Sequence, residues 1–287
     1  MKTQDYVVSD EQIAYYRQNG FIQLNDVVTG EALETLRAAV EQAVDDESIP
    51  VRSGRETRAP NSADPLSNVK SSYEQIFIQK VNLWLRNPKV KDFTLSKRFG
   101  NIAARLSGYR MRVWHDQALF KEPRTGSKTP WHQDTHYWPH REKGHQTSIW
   151  IALRDTTIYN GCMSFLPGTQ KYSTIPAINL RNPQNLFEMA PQLKGIKPVS
   201  CQLKAGSCTF HNGLTFHYAG PNKTDEMREA MAILYMPDGT TYSGKGHGVT
   251  DGAGIKVGDK LTGDLFPIVS DVPLGEIPVE EPTLAAH

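Results

Sequence analysis

The chain contains 287 residues, with 32 Lys and Arg against 31 Asp and Glu, and its formal net charge is +1. Because no basic block gathers aromatic residues around it, the composition argues against a nucleic-acid partner. A polar N-terminus and the lack of any run of about 20 apolar residues argue against a signal peptide and a membrane span. We therefore expect a cytoplasmic protein and, since no linker-like segment divides the chain, one domain over residues 1–287.

Residues 1–108 are predicted to be mostly helical. The segment Ser9-Asp-Glu-Gln12 has the pattern of a capping box, and the helix behind it is expected to end at Gly20. Residues 21–24 form a short strand candidate. Residues 31–45 carry apolar side chains on one face at helical spacing, which predicts an amphipathic helix.

The apolar pattern disappears between residues 51 and 71, which predicts a long polar loop. Two further helical stretches are expected, over residues 73–85 and 90–106, with Asn87-Pro88 between them. The three arginines of the loop, at positions 52, 55 and 58, have the composition of a solvated polar segment more than that of an anion site.

From Tyr109 the periodicity changes to that of short strands separated by Gly, Pro, Asn or Asp. The strand candidates are residues 110–120, 147–153, 163–166, 199–203, 208–211 and 229–235. This succession predicts a mainly β fold with flanking helices. The expected core is a double-stranded β-helix (jelly-roll, cupin-like) over residues 109–238, with the N-terminal helices packed outside. Residues 239–287, rich in Gly and Pro, are expected to wrap the surface.

A candidate metal pair lies between the first two strand candidates. On an extended strand, side chains two residues apart share a face, so His132 and Asp134 can reach one ion together. A second histidine downstream, His217, would complete a two-histidine, one-carboxylate set, which leaves coordination positions open on ferrous iron. Spacing alone leaves two alternatives open, because His136 shares the strand parity and His211 competes with His217.

Four motifs extend the pattern beyond this pair. They are Phe120-Lys-Glu-Pro123; Trp131-His-Gln-Asp-Thr-His-Tyr137; Trp150 with Asn160-Gly-Cys-Met-Ser-Phe-Leu-Pro-Gly-Thr-Gln-Lys171; and His217-Tyr-Ala-Gly-Pro-Asn-Lys-Thr224 with Arg228. In this order the sequence resembles the phytanoyl-CoA dioxygenase family of Fe(II)- and 2-oxoglutarate-dependent oxygenases. No single motif is specific, but the four together are.

The resemblance implies a role for each matching residue. It implies that His132, Asp134 and His217 hold Fe(II) and that Arg228 binds the distal carboxylate of 2-oxoglutarate, for which a guanidinium is well suited. These four residues are the expected catalytic set. The resemblance further implies that the co-substrate, 2-oxoglutarate, contacts three more residues, namely Trp150, Gln117 and Lys80. Position 219 is Ala where some relatives have Ser, which removes one hydroxyl contact.

The reaction that the resemblance implies is hydroxylation of an unactivated C–H bond in a small-molecule metabolite or natural-product intermediate. O2 and 2-oxoglutarate would be converted to succinate and CO2, and desaturation, epoxidation or cyclisation would use the same centre. Because the carboxylate of Asp134 is present, halogenation is disfavoured. The alternative from another class is a non-redox metal-binding cupin-type isomerase or hydrolase, which would leave Arg228 and Trp150 without an evident role.

The remaining histidines and the cysteines receive weaker assignments. Cys162, Cys201 and Cys208 are expected to be small buried side chains. His136, Tyr137 and His211 are expected beside the ligands or the substrate. Surface positions are expected for the histidines without a spacing argument, which are His115, His140, His145, His247 and His287. Residues that select the substrate are expected in segments 51–71, 137–140 and 239–263.

Overall fold

The structure is a computed structural model that describes residues 6–46, 48, 78–125, 127–180 and 182–275. The predicted loop 51–71, the first part of the predicted helix 73–85 and the end of the tail lie outside these residues. Five helices are present in the described part: α1 (Asp10–Asn19), α2 (Gly30–Asp45), α3 (Pro88–Thr94), α4 (Lys97–Ser107) and α5 (Leu186–Met189). Among the described residues, no helix is long and apolar enough to cross a membrane.

Within the described residues, ten strands form two antiparallel sheets. The strands are β1 (Phe21–Leu24), β2 (Ile78–Val81), β3 (Met111–Lys121), β4 (Thr129–His132), β5 (Thr147–Ala152), β6 (Met163–Phe165), β7 (Val199–Cys201), β8 (Cys208–Asn212), β9 (His217–Ala219) and β10 (Arg228–Pro237). The large sheet has the order β1-β8-β5-β10-β3-β2, and the small sheet has the order β4-β9-β6-β7. This arrangement confirms the predicted jelly-roll fold with flanking helices.

Helix α1 begins and ends as the sequence predicts. The Ser9 side chain accepts from the Gln12 amide, and the Gln12 side chain accepts from the Ser9 amide. Gly20 follows the last turn with φ of 79°, a left-handed conformation that glycine adopts at little cost. A Cβ atom at this position would lie 2.3 Å from the Thr215 hydroxyl oxygen. Both the turn and the close approach therefore require glycine.

The outer face of the large sheet is covered by helices. Along β10 the side chains alternate, so that Met231 and Ile233 belong to the core shared with the helices while Ala232 and Leu234 face the small sheet. Helix α4 packs on β3 and β5. Complete burial of an aliphatic side chain such as Ile233 contributes about 1.5–3 kcal/mol. This apolar layer fixes the sheet on which the inner-face side chains stand.

A β-bulge shapes the inner face. In the pairing of β10 with β3, Leu234 lies opposite His115 and Tyr235 lies opposite Val113, so the register skips Trp114. Because of this extra residue, Trp114 packs in the inner core and the next residue, His115, also faces the inner cavity. Without the bulge, two consecutive residues would face opposite sides of the sheet.

Three sequence predictions are corrected by the structure. The predicted helix 73–85 is wrong in its described part, because residues 78–81 form strand β2 and a 3-10 turn follows at Leu83–Leu85. The predicted helix 90–106 is divided into α3 and α4 at residues 95–96. The tail does more than wrap the surface, since Leu261, Phe266 and Val269 are buried in the two cores. Strands β2, β4 and β9 have no counterpart among the strand candidates.

Candidate active site

Two adjacent strands of the small sheet carry the histidines of a compact metal-ligand cluster. His132 is the last residue of β4, His217 is the first of β9, and the two lie opposite each other in the register. Asp134 opens the 3-10 turn Asp134–Tyr137. The carboxylate Oδ1 lies 3.5 Å from His132 Nε2 and 3.6 Å from His217 Nε2. One ligand atom from each of the three residues lies within 4.8 Å of the others, close enough to hold one metal ion.

Asp134 joins the cluster from a position that differs from the predicted one. Strand β4 ends at His132, so Asp134 reaches the cluster from a turn and not by sharing a strand face. The same turn carries His136 away from the ligand set, and its Nε2 lies 2.9 Å from Gln133 Oε1. His211 also stays outside the ligand set but touches it, with Nε2 3.3 Å from Asp134 Oδ2. The structure thus separates the candidates that spacing left open.

The histidine rings are oriented for metal binding by their second nitrogen. Nδ1 of His132 lies 2.8 Å from the Pro130 carbonyl oxygen, and Nδ1 of His217 lies 3.0 Å from that of Thr215. Since a carbonyl only accepts, each Nδ1 carries the proton and donates it. The Nε2 lone pairs therefore remain available to a metal.

The protonation states of the cluster also suit a cation. Burial by itself would raise the pKa of Asp134, but the proximity of His217, and then of His132 and His211, outweighs it and holds the pKa well below its usual range. Burial, followed by the proximity of His132, lowers the pKa of His217 well below that of a free imidazole. The cluster therefore offers a carboxylate at Asp134 and a neutral imidazole at His217 at neutral pH, which are forms that bind metals.

A buried arginine of the large sheet lines the same cavity as the metal-ligand cluster. Arg228, the first residue of β10, is 3% exposed, and its Nη1 donates to the Leu119 carbonyl at 3.0 Å. Its guanidinium carbon lies 5.2 Å from the centre of the Trp150 ring. Burial lowers its pKa to about 10, so it stays charged at neutral pH. Among the described residues it forms no ion pair, and its Nε has no partner. A buried cation without a counter-charge fits an anionic ligand.

A buried lysine of β3 links the strand that pairs with β10 to β9, the strand that carries His217. Lys121 lies opposite Arg228 in the sheet and is fully buried. Its Nζ donates to the carbonyls of Ala219, at 3.3 Å, and Gly220, both just beyond His217. Burial, and then the charge of Arg228, lower its pKa to about 6. The side chain therefore connects the large sheet with the small sheet between the two halves of the site.

Two of the predicted co-substrate contacts reach the site and a third does not. Trp150 and Gln117 both line the cavity. Lys80 lies on the other face of β2, where its Nζ donates to the Asp46 carbonyl. Its neighbour Gln79 faces the cavity instead and donates to Gln117 Oε1. The predicted contact of Lys80 is therefore corrected, because adjacent residues of a strand face opposite sides.

One cavity of about 450 Å³ joins these groups. Its lining includes Arg228, the three residues of the metal-ligand cluster and residues 178–180 and 245–248. Three histidines that were expected at the surface are buried here instead: His115 and His247 line the cavity, and His140 packs against Trp114. Strand parity with Gln117 could have identified His115. The sequence holds no comparable signal for His247, since it lies in the tail. His145 is half-buried against Tyr109, and His287 lies outside the described residues.

The donor set fits a divalent transition metal, and two neutral imidazoles with one carboxylate are the usual ligands of non-haem Fe(II). In a double-stranded β-helix with a buried, unpaired arginine in the same cavity, this centre defines the class of Fe(II)- and 2-oxoglutarate-dependent oxygenases.

A sequence profile described as Phytanoyl-CoA dioxygenase (PhyH) matches residues 16–230, and the chain belongs to this family. A relative from Arabidopsis thaliana, "Phytanoyl-CoA dioxygenase", is 31% identical over 163 residues, which cover 56% of this chain and 57% of that relative.

Solved structures show the same fold. The carbocyclase SnoK from nogalamycin biosynthesis, described as non-haem and alpha-ketoglutarate-dependent, superposes with a TM-score of 0.75 at 27% identity, covering 92% of this chain and 97% of SnoK. The epimerase SnoN in complex with Fe3+, alpha-ketoglutarate and nogalamycin RO gives a TM-score of 0.74 at 23% identity, covering 91% and 98% of the two chains.

Proposed function

We propose that this protein hydroxylates an unactivated C–H bond of a small-molecule metabolite or natural-product intermediate, converting 2-oxoglutarate and O2 to succinate and CO2. The observation that carries the proposal is the pairing, in one cavity, of the His132–Asp134–His217 cluster with the buried, unpaired cation of Arg228. Family membership supports the reaction class.

In this proposal His132, Asp134 and His217 hold Fe(II), and three protein ligands leave positions open for the co-substrate and for O2. Bound Fe(II) with 2-oxoglutarate supplies the oxidant, because decarboxylation of the keto acid provides the electrons that activate O2. The hydrogen bonds from His132 and His217 to backbone carbonyls keep both rings in the orientation that the metal needs.

Arg228 receives the distal carboxylate of 2-oxoglutarate and fixes the orientation of the co-substrate. Its guanidinium is held by the Leu119 carbonyl and by the Trp150 ring, so the cation is positioned before the ligand arrives. Gln117, which accepts a hydrogen bond from Gln79, keeps its amide NH2 available as a donor toward the cavity. The chain thus binds and orients the reactants, and selectivity depends on which C–H bond lies near the metal.

The non-redox alternative, a cupin-type isomerase or hydrolase, uses the same three ligands but assigns no role to the buried Arg228. Halogenation is disfavoured because the Asp134 carboxylate occupies a ligand position. Cyclisation uses the same centre as hydroxylation, and SnoK is described as a carbocyclase. The choice between these outcomes depends on the substrate.

The experiment measures succinate formed from 2-oxoglutarate by the purified protein, with Fe(II), O2 and a panel of small metabolites. We expect at least one metabolite to stimulate succinate formation, and His132→Ala or Asp134→Ala to abolish it. His145→Ala, a half-buried histidine outside the cavity, is the matched control and should retain activity. As a second readout, Mn(II) should raise the melting temperature of the wild type and of the control but not of Asp134→Ala. Full turnover with zinc in place of iron would contradict the proposal.

A further inference from the structure

The cavity has one charged side chain that the proposed chemistry does not use. Of the described residues that line it, three are of the Asp, Glu, Arg or Lys types: Asp134, Arg228 and Lys245. Asp134 belongs to the metal cluster, and Arg228 is assigned to the co-substrate. Lys245 remains, and it lies in a segment where substrate-selecting residues are expected from the sequence.

Lys245 is held at the cavity wall without a counter-charge. Its Nζ donates to the His136 carbonyl at 2.6 Å and lies 6.0 Å from the centre of the Tyr137 ring. Within the described parts of the chain it forms no ion pair. Residues 244–246 and 248 are exposed, and the partial burial of the ammonium, and then the nearby charge of Lys143, lower the pKa of Lys245. An ammonium has three donors, and one carbonyl satisfies only one of them.

The loop that carries this lysine also presents backbone donors. In residues 243–248, Ser-Gly-Lys-Gly-His-Gly, the amide of Lys245 donates to Ser243 Oγ at 3.4 Å and that of His247 donates to Asp251 Oδ1 at 3.0 Å. The amides of Gly246 and Gly248 donate to no acceptor among the described residues, and both glycines line the cavity. Asp251 is not among the residues that line it. One ammonium and two unused N–H groups therefore meet at one cavity wall, an arrangement that suits an anion.

Tyr137 connects this wall with the metal ligands. Its ring centre lies 6.2 Å from that of His132 and 6.0 Å from Lys245 Nζ. The distance from the Lys245 ammonium to the centre of the His132 ring is therefore at most the sum of these two distances. Apolar side chains of Ile178 and Leu180 line the same cavity. A molecule with an apolar body can therefore reach the metal while one end contacts the loop.

We propose that residues 244–248 bind an anionic oxygen group of the primary substrate, a carboxylate or a phosphate monoester, through Lys245 Nζ and the amides of Gly246 and Gly248. The substrate is then an amphipathic organic anion whose apolar body passes Tyr137 toward the metal. This inference rests on the proposed function, since it names the substrate class of the same site.

The test is calorimetric titration of the Fe(II)-loaded protein under anaerobic conditions, with saturating 2-oxoglutarate to occupy Arg228. The probes are octanoate, octyl phosphate and the uncharged analogue octanamide. We expect an anionic probe to bind about tenfold more tightly than octanamide, as a charge-assisted hydrogen bond implies. The stronger of the two anions identifies the group as carboxylate or phosphate. Its affinity should fall as NaCl is added.

Substitutions test whether residues 244–248 cause the difference in affinity between the anionic probes and octanamide. Lys245→Met should reduce anion affinity about tenfold and remove the salt dependence, whereas Lys245→Arg should stay within about threefold of the wild type. Lys89→Met, which removes an exposed lysine of α3, is the matched control and should change neither. Equal binding of octanamide, no effect of Lys245→Met, or no binding of any probe would overturn the inference.

The co-substrate titration keeps the two proposals apart. If 2-oxoglutarate binds with a dependence on Arg228 while the probes ignore Lys245, the substrate class is wrong and the oxygenase function stands. If 2-oxoglutarate itself fails to bind the Fe(II)-loaded protein, the proposed function is wrong.

Discussion

The buried carboxyl group of Asp116, in strand β3, makes the stability of the protein depend on pH. Asp116 is fully buried in β3, with the Thr94 hydroxyl donating to Oδ2 at 2.8 Å and the Trp84 amide at 3.1 Å. Its Oδ1 has no partner among the described residues. Burial raises the pKa from 3.8 to about 7, more than these hydrogen bonds lower it. We predict that Asp116→Asn stabilises the protein at alkaline pH.

The direction of the stability change follows from the difference in proton binding between the folded and unfolded states. Below about pH 4 the carboxyl is protonated in both the folded and unfolded states, and it imposes no penalty. As the pH rises toward 7 the unfolded state loses the proton while the folded state keeps it, so the free energy of unfolding falls. A pKa difference between 3.8 and about 7 corresponds to about 4 kcal/mol at most, and the loss is complete above the folded pKa. Asparagine keeps an acceptor for Thr94 and Trp84 but cannot ionise, so the variant avoids this loss.

Urea unfolding of the wild type and Asp116→Asn at pH 5, 6, 7 and 8 measures the difference directly. The variant should gain stability relative to the wild type at each step up to about pH 7 and then keep a constant advantage. Asp92→Asn, an exposed aspartate of α3, is the control and should show no such trend. A difference between Asp116→Asn and the wild type that is independent of pH, or that has the opposite sign at pH 8, would refute the reasoning.

Two further predictions concern the co-substrate and the backbone between the sheets. Arg228→Lys keeps a cation but loses the planar two-donor contact and the stacking on Trp150, so the KM for 2-oxoglutarate should rise about 100-fold with a smaller change in kcat; an unchanged KM in steady-state assays would exclude the assigned contact. Gly161→Ala places a Cβ 2.5 Å from the Gly220 carbonyl oxygen at φ of 89°. Denaturant unfolding should show a loss of at least about 1–3 kcal/mol, whereas Gly195→Ala, with no atom within 4 Å, should be nearly neutral.

The parts of the site that depend on local signals could be predicted from the sequence. The capping box of α1 and most strands of the core follow from short local patterns, and the spacing of His132 and Asp134 indicates a metal pair, while the resemblance to a family favoured His217 over His211 as the third ligand. The resemblance to a family also indicated Arg228, which lies in the same cavity as the metal set. Such signals survive because a cap, a strand or a ligand motif is contained within a few residues.

The predictions that the structure corrects concern residues whose positions depend on contacts between distant segments of the chain. Gln79 takes the place that was expected for Lys80, because the pairing of β2 with β3, and not the sequence of β2, decides which face is inside. His115 faces the cavity beside the bulge at Trp114, and His247 is brought there by the tail. Neither a pairing register nor the path of a tail leaves a periodic pattern in the sequence.

The two parts of the site stand on different sheets of the fold. The metal histidines stand on the small sheet, Arg228 stands on the large sheet, and Lys121 ties the two together beside them. The metal-ligand cluster and the guanidinium are therefore held at one distance from each other. If these groups bind the two ends of 2-oxoglutarate, as we propose, a keto acid that is one methylene shorter or longer should bind less tightly. In the proposed function the jelly roll thus selects the co-substrate by its length, while residues 244–248 hold neither the metal nor the co-substrate and are free to change with the substrate.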